Sequence, residues 1–408
     1  MDALDYLLPY VLEWMNLLVR WLHVITGIAW IGASFYFVWL DNSLRAPAPG
    51  SELAAKGVSG ELWAVHGGGF YNPQKYLVAP SQLPQDLHWF KWEAYSTWLS
   101  GFALLAIVYW LNAQAMMVDR GVADLTSLQA VGIGAASLVV GWTVYDVLCR
   151  STLGRHDLAF GAVVYAGLVG SAWVLGHYLS GRAAYIHVGA MIGTIMVANV
   201  AMVIIPGQRK MVAAMIAGDK PDPIHGLRGK QRSVHNNYFT LPVLFIMISN
   251  HFAMTYRHPH AWAVLAGIMA AGVFIRHFFN LRHKGRTEWR YPAIGVALLL
   301  AVAVGTAPAR PAGSAAGAGA APAFAQVQDI VARRCVGCHA AHPTQPGFAS
   351  APAGVMLDSA AGIAQNAPRI YQQAVQLKAM PLANLTGMTD AERAQVAKWF
   401  EAGAKVGR

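Results

Sequence analysis

The feature that most restricts this chain is a succession of apolar runs, each close to the length that crosses a lipid bilayer as a helix. A spanning helix needs about 20 mostly apolar residues. Eight such runs are found, near residues 14–40, 94–118, 127–149, 158–180, 183–205, 236–256, 261–280 and 292–307. Of the 408 residues, 12% are charged and 56% hydrophobic, where soluble domains carry about 25% charged residues. The expected fold class is therefore all-α: a polytopic membrane helix bundle of about eight transmembrane helices, with room for one small soluble domain. The first run has no small-residue cleavage site after it, so it is expected to be a retained span rather than a leader.

The stretch 307–322, "APARPAGSAAGAGAAP", is Ala, Gly and Pro almost throughout. It holds nothing that could build a core and is expected to be a flexible linker. It divides the chain into a membrane domain, 1–306, and a small globular unit, 323–408. The latter ends in a helix opened by the capping-box pair Thr389 and Glu392.

Basic residues crowd the loops after the odd-numbered runs, among them Arg150, Arg155, Arg209, Lys210, Arg228, Lys230, Arg232, Arg276, Arg282 and Lys284. The opposite loops carry little beyond Arg120, Arg182 and Arg257. The positive-inside rule then places the odd loops in the cytoplasm and both termini outside. In a bacterium this is an inner-membrane, multi-pass protein with its C-terminal unit in the periplasm. The net charge of +10 is thereby a topology signal in contact with membrane lipid, not a nucleic-acid surface.

In the C-terminal unit, "RRCVGCHAAHP" contains Cys335-x-x-Cys338-His339. This is the attachment signature of haem c: two thiols add across the vinyl groups and the adjacent His takes the iron. The competing readings are a redox dithiol and half a zinc site. There is no second Cys pair for zinc, and Cys149 stands alone as a small core residue. A small class I cytochrome c commonly has Met opposite His. Met380, followed by Pro381, is the expected ligand, with Met356 and Met388 as rivals.

Histidines within apolar runs form two layers. His23, His177, His187 and His251 fall in the outer half; His235 and His277 lie near the inner end. Two layers resemble an electron path with b-type haem, for which His23, His187 and His251 are the candidate ligands. The plainer reading is hydrogen-bonded helix packing. "LHVITGIAWIGASF" (22–35) and "IHVGAMIGTIMVAN" (186–199) share a weak internal similarity that would relate spans one and five. At the start of run six, His235, Asn236 and Asn237 suit a planar anion at a helix N-terminus, or simply an N-cap. The long first cytoplasmic loop holds "ELWAVHGGGFYNPQKY", either a binding loop or an interfacial segment.

These motifs together, "LHVITGIAWIGASFYF", "ELWAVHGGGFYNPQKY", "WFKWEAYSTWLSG", "SVHNNYFTLPVLFIMISNH" and "TEWRYP", resemble the N-terminal membrane domain of bacterial membrane-bound, cytochrome-c-linked urate oxidases (urate hydroxylases). The C-x-x-C-H unit after the linker matches that architecture. The resemblance implies oxidation of urate to 5-hydroxyisourate without hydrogen peroxide. Electrons would pass to haem c on Cys335, Cys338, His339 and Met380, then to a soluble cytochrome c or a terminal oxidase. It supplies no catalytic residues for the membrane domain, where His235, Asn236 and Asn237 stand as candidates from their chemistry alone. Urate would bind near the cytoplasmic side with a b-type haem as relay; a periplasmic urate site beside the cytochrome would need none. Two other classes use similar wiring: a quinol- or other small-molecule-dependent respiratory oxidoreductase, and a haem- or copper-handling membrane protein with a fused cytochrome.

Overall fold

The computed structural model describes residues 3–406 apart from 77, 81, 308–320, 347 and 349. The expected linker lies almost wholly outside the described residues. Each apolar run coincides with a helix. These are α1 (Ala3–Ser43), α2 (Trp92–Leu104), α3 (Ser127–Arg150), α4 (Asp157–Gly176), α5 (Gly181–Ile216), α6 (Pro223–Ser249), α7 (Ala261–His283) and α8 (Arg290–Gly305). Five of them, α1, α3, α4, α5 and α7, are long and apolar enough to cross a membrane. α8 is apolar but shorter, and α6 is polar over its first half.

Local chemistry explains where the helices begin. Thr126 opens α3 with a full capping box to Gln129, and Ser180 caps α5 by accepting from the Ala183 amide. α6 starts at Asp222-Pro223, an N-cap followed by proline in the first turn. This corrects the sequence reading, which began the helix at 236 because hydropathy sees only its apolar part. His235, Asn236 and Asn237 are therefore mid-helix, and no helix N-terminus faces a ligand there.

The bundle closes around α5. It has the highest mean hydropathy of the long helices, 2.3, and 61% of that window is buried, against 0% for α1. A helix that is apolar on all sides belongs inside. Its neighbours come close at glycines. A methyl group on Gly189 would overlap Ile246 of α6, and one on Gly141 of α3 would overlap Met191. Tyr185 ties α5 to the α7 end by donating to the carbonyls of Thr255 (3.1 Å) and Ala261 (2.6 Å). Two π-helical turns interrupt the bundle, Leu105–Trp110 after α2 and Asn199–Ile204 within α5.

The long loop after α1 departs from an all-helical expectation. β1 (Val58–Glu61) pairs antiparallel with β4 (Gln74–Tyr76), and β2 (Ala64–His66) with β3 (Gly69–Tyr71). Gly67 and Gly68 turn the inner hairpin at φ 57° and 82°, the left-handed region that glycine enters without strain.

Residues from 324 onward build a second core. Val327, Ile330 and Val331 of α9 (Phe324–Arg334) meet Val396 and Trp399 of α10 (Asp390–Glu401), with Leu357, Ile363 and Ile370 between. The Thr389–Glu392 capping box forms as expected. This unit meets the bundle where α6 gives way to α7: Arg257, paired with Asp119 at 3.1 Å, also donates to the Lys378 carbonyl. Ser350 donates to Glu13 of α1 at 2.8 Å.

Candidate functional site

In the C-terminal unit the Cys-x-x-Cys-His segment follows α9 directly. Cys335 ends the helix, and its carbonyl accepts from the amides of Cys338 (3.2 Å) and His339 (3.0 Å). The amides of Thr344 and Gln345 close on the Gly337 carbonyl, both at 2.9 Å. His339 donates from Nδ1 to the Val355 carbonyl at 2.9 Å, so its lone pair sits on Nε2. That is the tautomer and orientation of a histidine held ready for a metal. Burial pushes the Cys335 thiol up to about 12, with the neighbouring Cys338 adding to it. Burial also raises Cys338. A reactive dithiol needs a depressed thiol, and burial here acts in the opposite direction.

Three methionines were in contention opposite His339. Met356 is 49% exposed, whereas Met388 is 4% exposed and packed into the core. Met380 is half-buried against the cluster that includes Cys335 and Val336. Its loop is fixed by Arg393 of α10, which donates to the carbonyls of Met380 (2.8 Å) and Ala374 and to Asn384 Oδ1 (3.3 Å). Arg334 of α9 ties the same region to α10 through Glu392 at 3.1 Å and the Thr386 carbonyl.

Within the bundle, three consecutive residues of α6 face different partners, because each step turns a helix by about 100°. His235 is hydrogen-bonded through Nδ1 to the Tyr145 hydroxyl at 2.8 Å and stacks on Phe160 at 4.6 Å. Asn236 donates to the Met196 carbonyl (2.9 Å) and accepts from Asn199 (2.8 Å). Asn199 also donates to Tyr145 (3.0 Å) and accepts from Arg232 (3.1 Å), which is paired with Asp146 at 2.7 Å. The result is a closed network joining α3, α5 and α6, with charge balanced by charge.

Asn237 belongs to a second cluster. Its Oδ1 accepts from Arg276 Nε and Asn280 Nδ2 of α7, each at 2.9 Å. Next along both helices, the Tyr238 hydroxyl is hydrogen-bonded to His277 Nδ1 at 2.7 Å. The Arg276 guanidinium lies 4.1 Å from the centre of the Phe35 ring of α1. The structure thus separates the three sequence candidates, placing His235 and Asn236 in the closed network and Asn237 in the other. Arg276, read from the sequence as a loop charge, is 5% exposed. Its signal was available: Arg276 and Asn280 stand one turn apart inside an apolar run, and ionisable groups at that depth are seldom idle.

Of the histidines expected in the outer half, His23 sits in the α1–α2 seam with Nδ1 3.1 Å from both the Thr97 carbonyl and Ser100 Oγ, its ring against Gly101. His187 is fully buried. It donates from Nδ1 to the Ala183 carbonyl at 2.8 Å, accepts from Trp110 at Nε2 (3.2 Å), and faces Gly134 of α3. The two rings occupy different seams. His251 is exposed beyond the end of α6.

The comparisons with known proteins add a family: the model described as "Urate oxidase N-terminal" matches residues 9–307. No curated protein and no solved structure matches the chain.

The closed network is expected to be costly to break from one side. Arg232→Ala would leave Asp146 with only the exposed Arg150 and leave Asn199 short of a donor. Breaking a buried pair from one side costs about 3–5 kcal/mol, read as a lower thermal midpoint of the detergent-solubilised protein. An unchanged midpoint would show the pair to be dispensable.

Proposed function

Because the chain belongs to the urate oxidase N-terminal family, we propose that it is a membrane oxidoreductase that oxidises urate to 5-hydroxyisourate and passes the electrons through a C-terminal haem c to the respiratory chain. The observation that supports an electron outlet on the same chain is Cys335 and Cys338 beside a His339 whose Nδ1 is committed to the Val355 carbonyl. The balance is urate plus water giving 5-hydroxyisourate, two protons and two electrons. Water adds at C5 of the oxidised purine, and oxygen is not consumed at the site, so no peroxide forms.

Haem c fits the residues present. Cys335 and Cys338 would hold it by thioether bonds, and His339 Nε2 and Met380 would be the side chains offered to the iron. Bound there, it accepts one electron at a time and hands it to a soluble cytochrome c or a terminal oxidase. Arg393 holds the Met380 loop, and the Val355 carbonyl orients the His339 ring.

The proposed sidedness puts urate towards the basic, cytoplasmic ends of the helices and the cytochrome outside. The hydrocarbon layer between is about 30 Å thick, too far for one tunnelling step, so a relay is part of the proposal. A b-type haem is the relay it names. His187 commits Nδ1 to the Ala183 carbonyl, but its Nε2 accepts from Trp110 and packs on Gly134, so ligation there would have to replace the Trp110 bond. His23 also commits Nδ1 to a carbonyl and packs its ring on a glycine, Gly101, and His251 is the third candidate.

Three measurements follow. In membranes of a host lacking other urate oxidases, urate should drive oxygen uptake without peroxide. The Cys335→Ser/Cys338→Ser variant should lose that uptake; full uptake by the variant would remove haem c from the path. Met380→Ala should lose any sulfur-to-iron charge-transfer band and lower the haem potential, whereas loss of the band only in Met388→Ala would reassign the ligand. Acid-acetone extraction should release a second, non-covalent haem that is absent from His187→Ala. A single haem per chain, all covalent, would eliminate the relay and favour a periplasmic urate site.

A further inference from the structure

We propose that Arg276, Asn237 and Asn280 form a binding site for a flat organic anion; its identification with urate rests on the function proposed above. Six buried side-chain polar atoms among the described residues have no hydrogen-bond partner. Four of them belong to one place: Arg276 Nη2, Asn237 Nδ2, Asn280 Oδ1 and His283 Nδ1. Arg276, Asn280 and His283 follow at i, i+4 and i+7, a single stripe of α7, and Asn237 meets that stripe from α6. Asn237 is 1% exposed, Arg276 5% and Asn280 9%.

Charge makes the case sharper than hydrogen bonding does. Arg232 and Arg276 are both buried arginines of the bundle. Arg232 has Asp146. Among the described residues no carboxylate pairs with Arg276, whose partners are a neutral amide and the Phe35 ring. A desolvated cation without a counter-charge is costly. Water could satisfy the amides but not the charge. An anion satisfies both.

The unpartnered atoms also define its shape. Nη2 and Asn237 Nδ2 are donors, and Asn280 Oδ1 is an acceptor. They call for a ligand edge with anionic or carbonyl acceptors beside a ring N–H, the pattern of a deprotonated purine-trione. Phe35 supplies an aromatic face next to that edge. The Tyr238–His277 pair, one residue further along both helices, is the nearest hydrogen-bonded couple that could take up a proton.

The test uses the full chain with its haem reduced, so that no turnover is possible, and measures urate binding by equilibrium dialysis. Asn237→Asp is the informative variant. It keeps the oxygen that accepts from Arg276 and Asn280, deletes the unpartnered N–H, and gives Arg276 a carboxylate. It should melt higher than the wild type without urate and bind urate at least about tenfold more weakly. Arg276→Gln should also bind at least about tenfold more weakly. Urate binding that is unchanged in both variants overturns the site and leaves the proposed function standing. An Asn237→Asp protein that melts no higher than the wild type removes the unbalanced charge on which the site rests. If the wild type binds no urate, the substrate assignment falls whatever the melting shows.

Discussion

A polar group inside an apolar helix bundle has to find its partner within the protein, because the surroundings offer none. That requirement organises this structure. The buried arginines and asparagines of the bundle are not scattered; they collect on two faces of α6. On one, Arg232, Asp146, Asn199, Asn236, Tyr145 and His235 satisfy one another and lock α3, α5 and α6 in register. Such a network adds little net free energy, since desolvation offsets most of the attraction. Its effect is on specificity: a slip of any of the three helices strands a charge. On the other face, the same residue types are left open around Arg276. Between two clusters of similar composition, the one that does not balance is the one with a ligand to bind.

The central helix makes both clusters possible. α5 is buried because it is apolar all round, and glycines at its contacts let neighbouring backbones approach. The two π-helical turns lie where that regularity is broken for a polar purpose. One begins at Asn199, the hub of the closed network, and the other ends at Trp110, which donates to His187. An inserted residue rotates the side chains that follow it, a device often found beside functional positions.

Much of this was legible in the sequence. Every apolar run became a helix, because hydrophobic length is a property of the chain alone. The C-x-x-C-H spacing and the Thr389–Glu392 capping box were local and readable. What the sequence concealed depended on rotation about helix axes. Adjacent His235, Asn236 and Asn237 look like one constellation as text, yet they face different neighbours. Arg276 looked like a loop charge because the positive-inside count does not distinguish a residue one turn inside the bundle from one outside it. Its partner Asn237 lies 39 positions away, a pairing that no local pattern announces. The Asp222-Pro223 start of α6 was available as a helix signal, but a hydropathy window passed over it.

The proposed function joins a urate-oxidase-family domain to an electron outlet at Cys335–His339. Its geometry also sets a length problem. Arg276 is fifteen residues along α7 from the Ala261 end, near which the C-terminal unit is held, and a helix rises about 1.5 Å per residue. In the proposed function, electrons leaving that region would travel roughly 22 Å before reaching the unit, which is why the proposal includes an intermediate carrier. The most direct measurement is an anaerobic titration of the oxidised, purified chain with urate, followed at the haem absorption band. The account predicts that the haem c is reduced without oxygen, two electron equivalents appear per urate, and no peroxide is detected. A haem that ascorbate reduces but urate leaves oxidised would contradict it.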